Sequence, residues 1–379
     1  MSNTTYARAR LWTGIFGVGT IVLLATLLLA FAVPVRVLEG RGGTLGADAM
    51  LLFTVLTLGA VVALPFDILG GFTLPGRFGR PVLPAKQFAF AWFRGVLVLL
   101  SVSTANGVIL LAAGRAGGRP AALASLVAIA VLMVLLQEPL ARLVGGLRRV
   151  PADRLAKLDA ELRRVVLLHG TDPGFSGGFT GLSATLVLPE RWISLLQPRE
   201  LSLLLERRRQ ILRSGAWRRA LTLAVIWNAF GFLVASLLPN AGVQNIAELV
   251  TTALGFTLWT FLGLLILPTP SRRATLSVDS VAARDEASRD LLGKAVKALD
   301  VLQDDEPERS PGLETIFHPV PSVANRMRAL TEPVPQKQGA WHLARIALYL
   351  SYAGVSLLPR AAHCNVGRPE LWVYLPTDG

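Results

Sequence analysis

The feature that most constrains this chain is a succession of apolar runs, each close to the ~20 residues that cross a bilayer core as helix. Four precede a polar central segment, at about residues 11–33, 49–70, 88–113 and 121–137, and two follow it, at about 220–238 and 246–267. In hydrocarbon every backbone amide must be paired within the segment, so these runs are predicted to be helices. Only 17% of the 379 residues are charged, against about 25% in a soluble domain. An integral membrane protein follows. The first run is preceded by Arg8 and Arg10, and Ala30-Phe31-Ala32 resembles a signal-peptide cleavage site. It exceeds the usual ~7–15-residue signal core, however, so an uncleaved anchor helix is expected.

The formal charge of +13 would suggest nucleic-acid binding in a soluble protein. Here no basic-aromatic interleaving accompanies it, so nucleic acid is not expected as a partner. The cations follow the membrane instead. With a cytoplasmic N-terminus, the inner segments carry Arg8 and Arg10, then Arg77, Arg80 and Lys86, then the arginine-rich 138–219 segment, then Arg272 and Arg273. The outer loops carry Arg36 and Arg41, Arg115 and Arg119, and finally none. The positive-inside bias predicts six spans in the cell (inner or plasma) membrane, with both soluble segments cytoplasmic and facing anionic lipid. Asp67 and Arg94 fall inside predicted spans, which makes them functional candidates. The plainer reading is that they pair with each other, or that Arg94 snorkels to the interface. A single cysteine, Cys364, excludes an intrachain disulfide and a cysteine-built zinc site.

Between the spans, Leu155, Leu158, Leu162, Val165 and Val166 recur at helical spacing and predict an amphipathic helix over 152–168. Alternation from Leu182 to Leu188, stopped by Pro189, predicts a short strand. Residues 199–213, rich in helix formers and free of Gly and Pro, predict a helix. Beyond the last span, 279–303 predicts a long helix with Leu291, Leu292, Val296 and Leu299 inward, and 321–330 a shorter one. The apolar stretch 346–359 is short for a span and reads as a core or interfacial helix. The predicted organisation is four spans in 1–137, half a domain in 138–219, two spans in 220–268, the other half in 269–335, and an extension over 336–379. The two small soluble segments are expected to fold together. The sequence leaves the oligomeric state open.

The order strand, helix, two spans, second helix resembles the membrane-integrated gluzincin metallopeptidases, the family of HtpX and the CAAX prenyl endopeptidases. Gly177-Gly-Phe-Thr-Gly-Leu-Ser-Ala-Thr-Leu-Val-Leu-Pro, with Leu196-Gln-Pro-Arg-Glu-Leu beyond it, is similar to the family's edge strand and the approach to its zinc helix. Residues 271–284 look like the second ligand helix. Phe317-His318-Pro319, followed by Asn325-Arg-Met-Arg-Ala-Leu, resembles the closing signature. The motifs cover about 152–330. The implied architecture is mainly α: a polytopic membrane protein of about six transmembrane helices with a small α+β zincin-like cytoplasmic domain.

The resemblance also implies a chemistry that these residues do not supply. Zinc in this family needs two histidines at i and i+4, a glutamate base between them, and a glutamate from the later helix. Aligned on its glutamate, the His-Glu-x-x-His motif falls on Leu205-Glu206-Arg207-Arg208-Arg209. Glu206 matches the base, while Leu205 and Arg209 stand at the ligand positions. Asp279 matches the aspartate four places after the third ligand, which puts Thr275 in the ligand's place. No pair among His169, His318, His342 and His363 has the i, i+4 spacing that would rebuild the site. No metal or other cofactor is therefore expected. The anticipated role is that of a pseudoprotease that binds a membrane protein or peptide. The alternatives are an active zinc metalloendopeptidase, and a transporter or scaffold acting through its spans. Arg207, Arg208 and Arg213 are expected to form a solvated, lipid-facing patch. Arg209 either joins that patch or replaces the lost cation by pairing with Glu206 or Asp279.

Overall fold

The computed structural model describes residues 4–151, 165–332 and 339–373. The helix α1 (Tyr6–Ala30) opens with the Thr5 hydroxyl accepting the Arg8 N–H. A short α2 (Val33–Leu38) leads to α3 (Leu45–Ile68), whose helical path continues through a π turn into α4 (Leu74–Arg77). The predicted third and fourth spans are the two helical arms, joined at a kink, of the stretch α5 (Ala85–Leu135). Gly117 and Gly118 break it, Gly118 at φ +66°, ψ −158°, a conformation open in practice only to glycine. The arms fold back on each other. Asn106 Nδ2 lies 3.9 Å from Met133 Sδ, 27 positions on, which in a straight helix would be about 40 Å away. Then come α6 (Gln137–Gly145), α9 (Ala216–Ala235) and α10 (Ile246–Ile266), the last running into α11 (Pro268–Ala282). Among the described residues, five helical stretches are long and apolar enough to cross a membrane: Tyr6–Ala30, Leu45–Arg77, Ala85–Leu135, Ala216–Ala235 and Ile246–Ala282.

The remaining elements form a four-stranded sheet with its covering helices. Strands β1 (Arg148–Arg149), β2 (Val165–His169), β3 (Gly178–Thr180) and β4 (Thr185–Pro189) are ordered β1-β2-β4-β3. Strands β2 and β4 run parallel, and β3 lies antiparallel at the edge. The amphipathic helix predicted over 152–168 is corrected where it can be followed. Residues 152–164 lie outside the described set, and 165–169 are strand β2. Its β-branched start, Val165-Val166, suits a strand packed on a parallel neighbour.

After β4 follow α7 (Trp192–Leu195) and α8 (Pro198–Arg213), then the two membrane helices. The single helix predicted over 279–303 is two, α11 and α12 (Glu286–Gln303). Asp285 caps α12 by accepting the Ser288 N–H at 2.8 Å, so the chain stops at 283–285 and starts again. Helices α13 (Pro311–Phe317) and α14 (Val323–Thr331) follow. One apolar core joins β2, β3, β4, α8, α11 and α12, so residues on both sides of α9 and α10 share it. Residues 339–373 are mostly buried as well. Within it α15 (Leu343–Leu350) packs mainly against α9, and a 3-10 turn to Gly354 mainly against α5, inside the membrane-helix core.

Candidate functional site

Helix α8 starts from a capping box in which the Gln197 N–H donates to Glu200 at 2.9 Å, with Pro198 at the first turn. Its buried residues are Glu200, Leu201, Leu204, Leu205, Arg207, Arg208 and Ile211. At about 100° per residue these centre on the direction between Leu204 and Arg208, and Glu206 lies about 180° from it. Glu206 is accordingly on the outer surface. It accepts from Gln210 at 2.7 Å and from Arg209 and Arg213 at 3.2 Å each. The Arg209 and Glu206 side chains are 34% and 35% exposed. Leu205 is buried, as is Thr275, whose hydroxyl donates to the Ser271 carbonyl at 3.4 Å.

The reading of Arg207 and Arg208 as a solvated patch is overturned. Both are sealed, at 0% and 1% exposure. Arg207 Nε donates to Asp279 Oδ1 at 2.5 Å. On the other side Arg326 donates to the same carboxylate at 2.6 and 3.1 Å. Asp279 is thus held by Arg207 and Arg326, where the alignment had offered Arg209. Burial by itself would raise the Asp279 pKa, but the two guanidiniums outweigh it and hold the group below the usual carboxylate range. Arg208 donates to the Ser176 carbonyl at 3.2 Å and lies 5.3 and 5.9 Å from the Trp192 and Trp341 rings.

Beside the edge strand the space is filled by aromatic rings. Phe179 of β3 packs 5.5 Å from Trp217 and 5.4 Å from Trp341, and those two rings are 6.2 Å apart. The cavity left there is about 30 Å³, room for little more than a water. Trp341, absent from every motif, comes from the C-terminal segment. Only its size and its place after a Pro- and Gln-rich stretch could have drawn notice.

His318 and Pro319 take another position. The buried His318 ring stacks edge-on to His363 at 5.1 Å, and burial keeps its pKa well below the ordinary value. Pro319 lines an apolar groove with Leu11 and Phe261. The signature's arginine, Arg326, is the member that reaches Asp279. In the membrane region Asp67 and Arg94 do not pair. Asp67 accepts from Arg360 at 2.6 Å, Trp92 at 2.9 Å and the Gly367 N–H at 2.8 Å. Arg94 donates to the Val144 carbonyl at 3.4 Å.

A zincin site would require imidazole and carboxylate donors converging on one point. On the facing surfaces of α8 and α11 stand Leu204, Leu205, Arg207, Arg208, Thr275 and a carboxylate bound by two arginines, which do not fit that requirement. Among the described residues, no group of three or more His, Cys, Asp or Glu side chains is placed to hold a metal ion.

No protein-family model matches the chain, and no curated protein matches it. Among solved structures the chain is similar in fold to a crystal structure. That structure is Ste24p of S. mikatae, with a TM-score of 0.66 and 15% identity, covering 86% of each chain. At this identity the likeness is one of fold. Coverage of 86% extends beyond residues 152–330, where the sequence motifs lie, and takes in much of the membrane region.

Proposed function

We propose that this chain is a non-catalytic relative of the membrane metallopeptidases, a multi-pass protein that holds a membrane partner or peptide without cutting it. The observation that carries the reading is the Arg207–Asp279–Arg326 cluster at the junction of α8, α11 and α14. A cation site has become a closed ion cluster. Two guanidiniums neutralise the carboxylate, and bringing a divalent cation beside them would cost Coulomb repulsion in a poorly screened interior.

The helical phase bears on the sequence alignment. Two ligands at i and i+4 must both face the second helix, and the buried face of α8 offers such pairs as Leu204 with Arg208 and Arg207 with Ile211, of which Arg207 is the residue that reaches Asp279 on α11. Glu206 lies on the opposite face of α8. None of these buried residues is a zinc ligand. The back-folded arms of α5 support six membrane crossings, and the charge bias supports a cytoplasmic sheet domain.

The test is metal analysis of the detergent-purified full-length protein, with casein cleavage measured with and without a chelator. The expected result is substoichiometric zinc and no chelator-sensitive cleavage. About one zinc per chain, with cleavage lost on chelation, would overturn the proposal.

A further inference from the structure

A cavity of about 720 Å³ lies away from α8, where the ends of the membrane helices meet the sheet domain. Five cationic side chains line it, Arg80, Lys86, Arg94, Arg148 and Arg368, with two carboxylates, Asp172 and Glu370. Both carboxylates are engaged by the protein. Asp172 is paired with Arg368. Glu370 accepts the Thr171 and Asp172 N–H groups at 2.8 Å each and the Thr171 hydroxyl at 2.5 Å. Among the described residues, Lys86, Arg94 and Arg148 have no carboxylate within ion-pair distance. The cavity therefore carries an unneutralised positive charge.

Two further features aim that charge inward. Arg94 rests against Gly146, where a Cβ would lie 2.5 Å from its Nη2. Its Nε is buried with no partner among the described residues. Helix α5 begins here after Pro84 without a side-chain cap, so the free N–H groups of its first turn and the positive end of its dipole add to the field. Phe88 and the 66%-exposed Phe90 stand at the same wall, on the stretch that enters the membrane.

From this arrangement we infer that the cavity binds a phosphate ester, its oxyanion held by Lys86, Arg94 and Arg148 at the start of α5. An ester carrying acyl chains would lay them along Phe88 and Phe90. The inference is independent of whether the metallopeptidase-like site cuts.

Native mass spectrometry of the full-length protein in detergent tests it, with dioleoylphosphatidylglycerol, dioleoylphosphatidylcholine and glycerol 1-phosphate as probes. The expected result is one retained phosphatidylglycerol per chain, bound at least ten-fold more weakly by Lys86→Ala/Arg148→Ala. These are exposed residues, so unfolding should not confuse the outcome. The control Arg284→Ala/Lys297→Ala, which removes the same charge elsewhere, should bind as the wild type does. Competition by glycerol 1-phosphate would identify the headgroup chemistry as sufficient and a soluble ester as a source, whereas binding of the diacyl form alone would identify a membrane lipid. Equal retention of phosphatidylcholine, or equal loss in the control, would overturn the inference, because either would mean unselective attachment.

Discussion

Three consecutive arginines on α8 have different fates, at 0%, 1% and 34% exposure for Arg207, Arg208 and Arg209. Adjacent helix positions diverge by about 100°, so identity alone does not say which arginine turns inward. The phase was partly legible: Leu201, Leu204, Arg208 and Ile211 share one face at i, i+3, i+4 spacing. Aligning on the lone glutamate hid it. The consequence is testable. Asp279→Ala leaves two buried guanidiniums without their carboxylate and should lower stability by about 3–5 kcal/mol. Glu206→Ala, at a solvent-exposed ion cluster, should change it by no more than about 0.5 kcal/mol. Denaturant unfolding in detergent measures both, and the reverse order would place Glu206, not Asp279, at the structural centre.

Elements were legible where one interaction decides them. The strand predicted over 182–188 is β4 at Thr185–Pro189, with 182–184 in the turn before it and Pro189 as its last residue, because alternation acts locally while the exact ends do not show in it. The break between α11 and α12 was missed although Asp285 is a cap three residues before Ser288, since apolar periodicity runs across it. The doubling back of α5 rests on Gly117 and Gly118, which in sequence look like an ordinary short loop. Gly118→Ala should therefore cost about 1–3 kcal/mol, as an L side chain is forced into glycine's conformational region. Gly19→Ala on α1, where an added Cβ meets nothing within 4 Å, should be neutral or slightly stabilising. A thermal-shift assay on the two variants distinguishes the backbone argument from a general intolerance of substitution.

At the scale of the whole molecule, the segment from 339 to 373 ties the parts together. Arg360 neutralises Asp67 on the second membrane helix, Arg368 pairs with Asp172 in the loop after β2, and Trp341 fills the space beside β3. Partners separated by 196 and 293 positions leave no periodic trace in a sequence, which is why Arg94 looked like the better match for Asp67. Arg360→Met should uncover the buried Asp67 carboxylate and destabilise the membrane bundle by about 3–5 kcal/mol, read as a lower midpoint in detergent unfolding. The topology has its own test. If both arms of α5 cross the bilayer, residues 41 and 119 lie on one side, and residues 213 and 297 on the other. Single cysteines placed at these four positions in a Cys364→Ser background should label accordingly with a membrane-impermeant maleimide on intact cells: Arg41→Cys and Arg119→Cys react, while Arg213→Cys and Lys297→Cys react only after permeabilisation. Labelling of position 119 together with 213 and 297 would mean that the hairpin of α5 does not reach the far face, and six crossings would have to be given up.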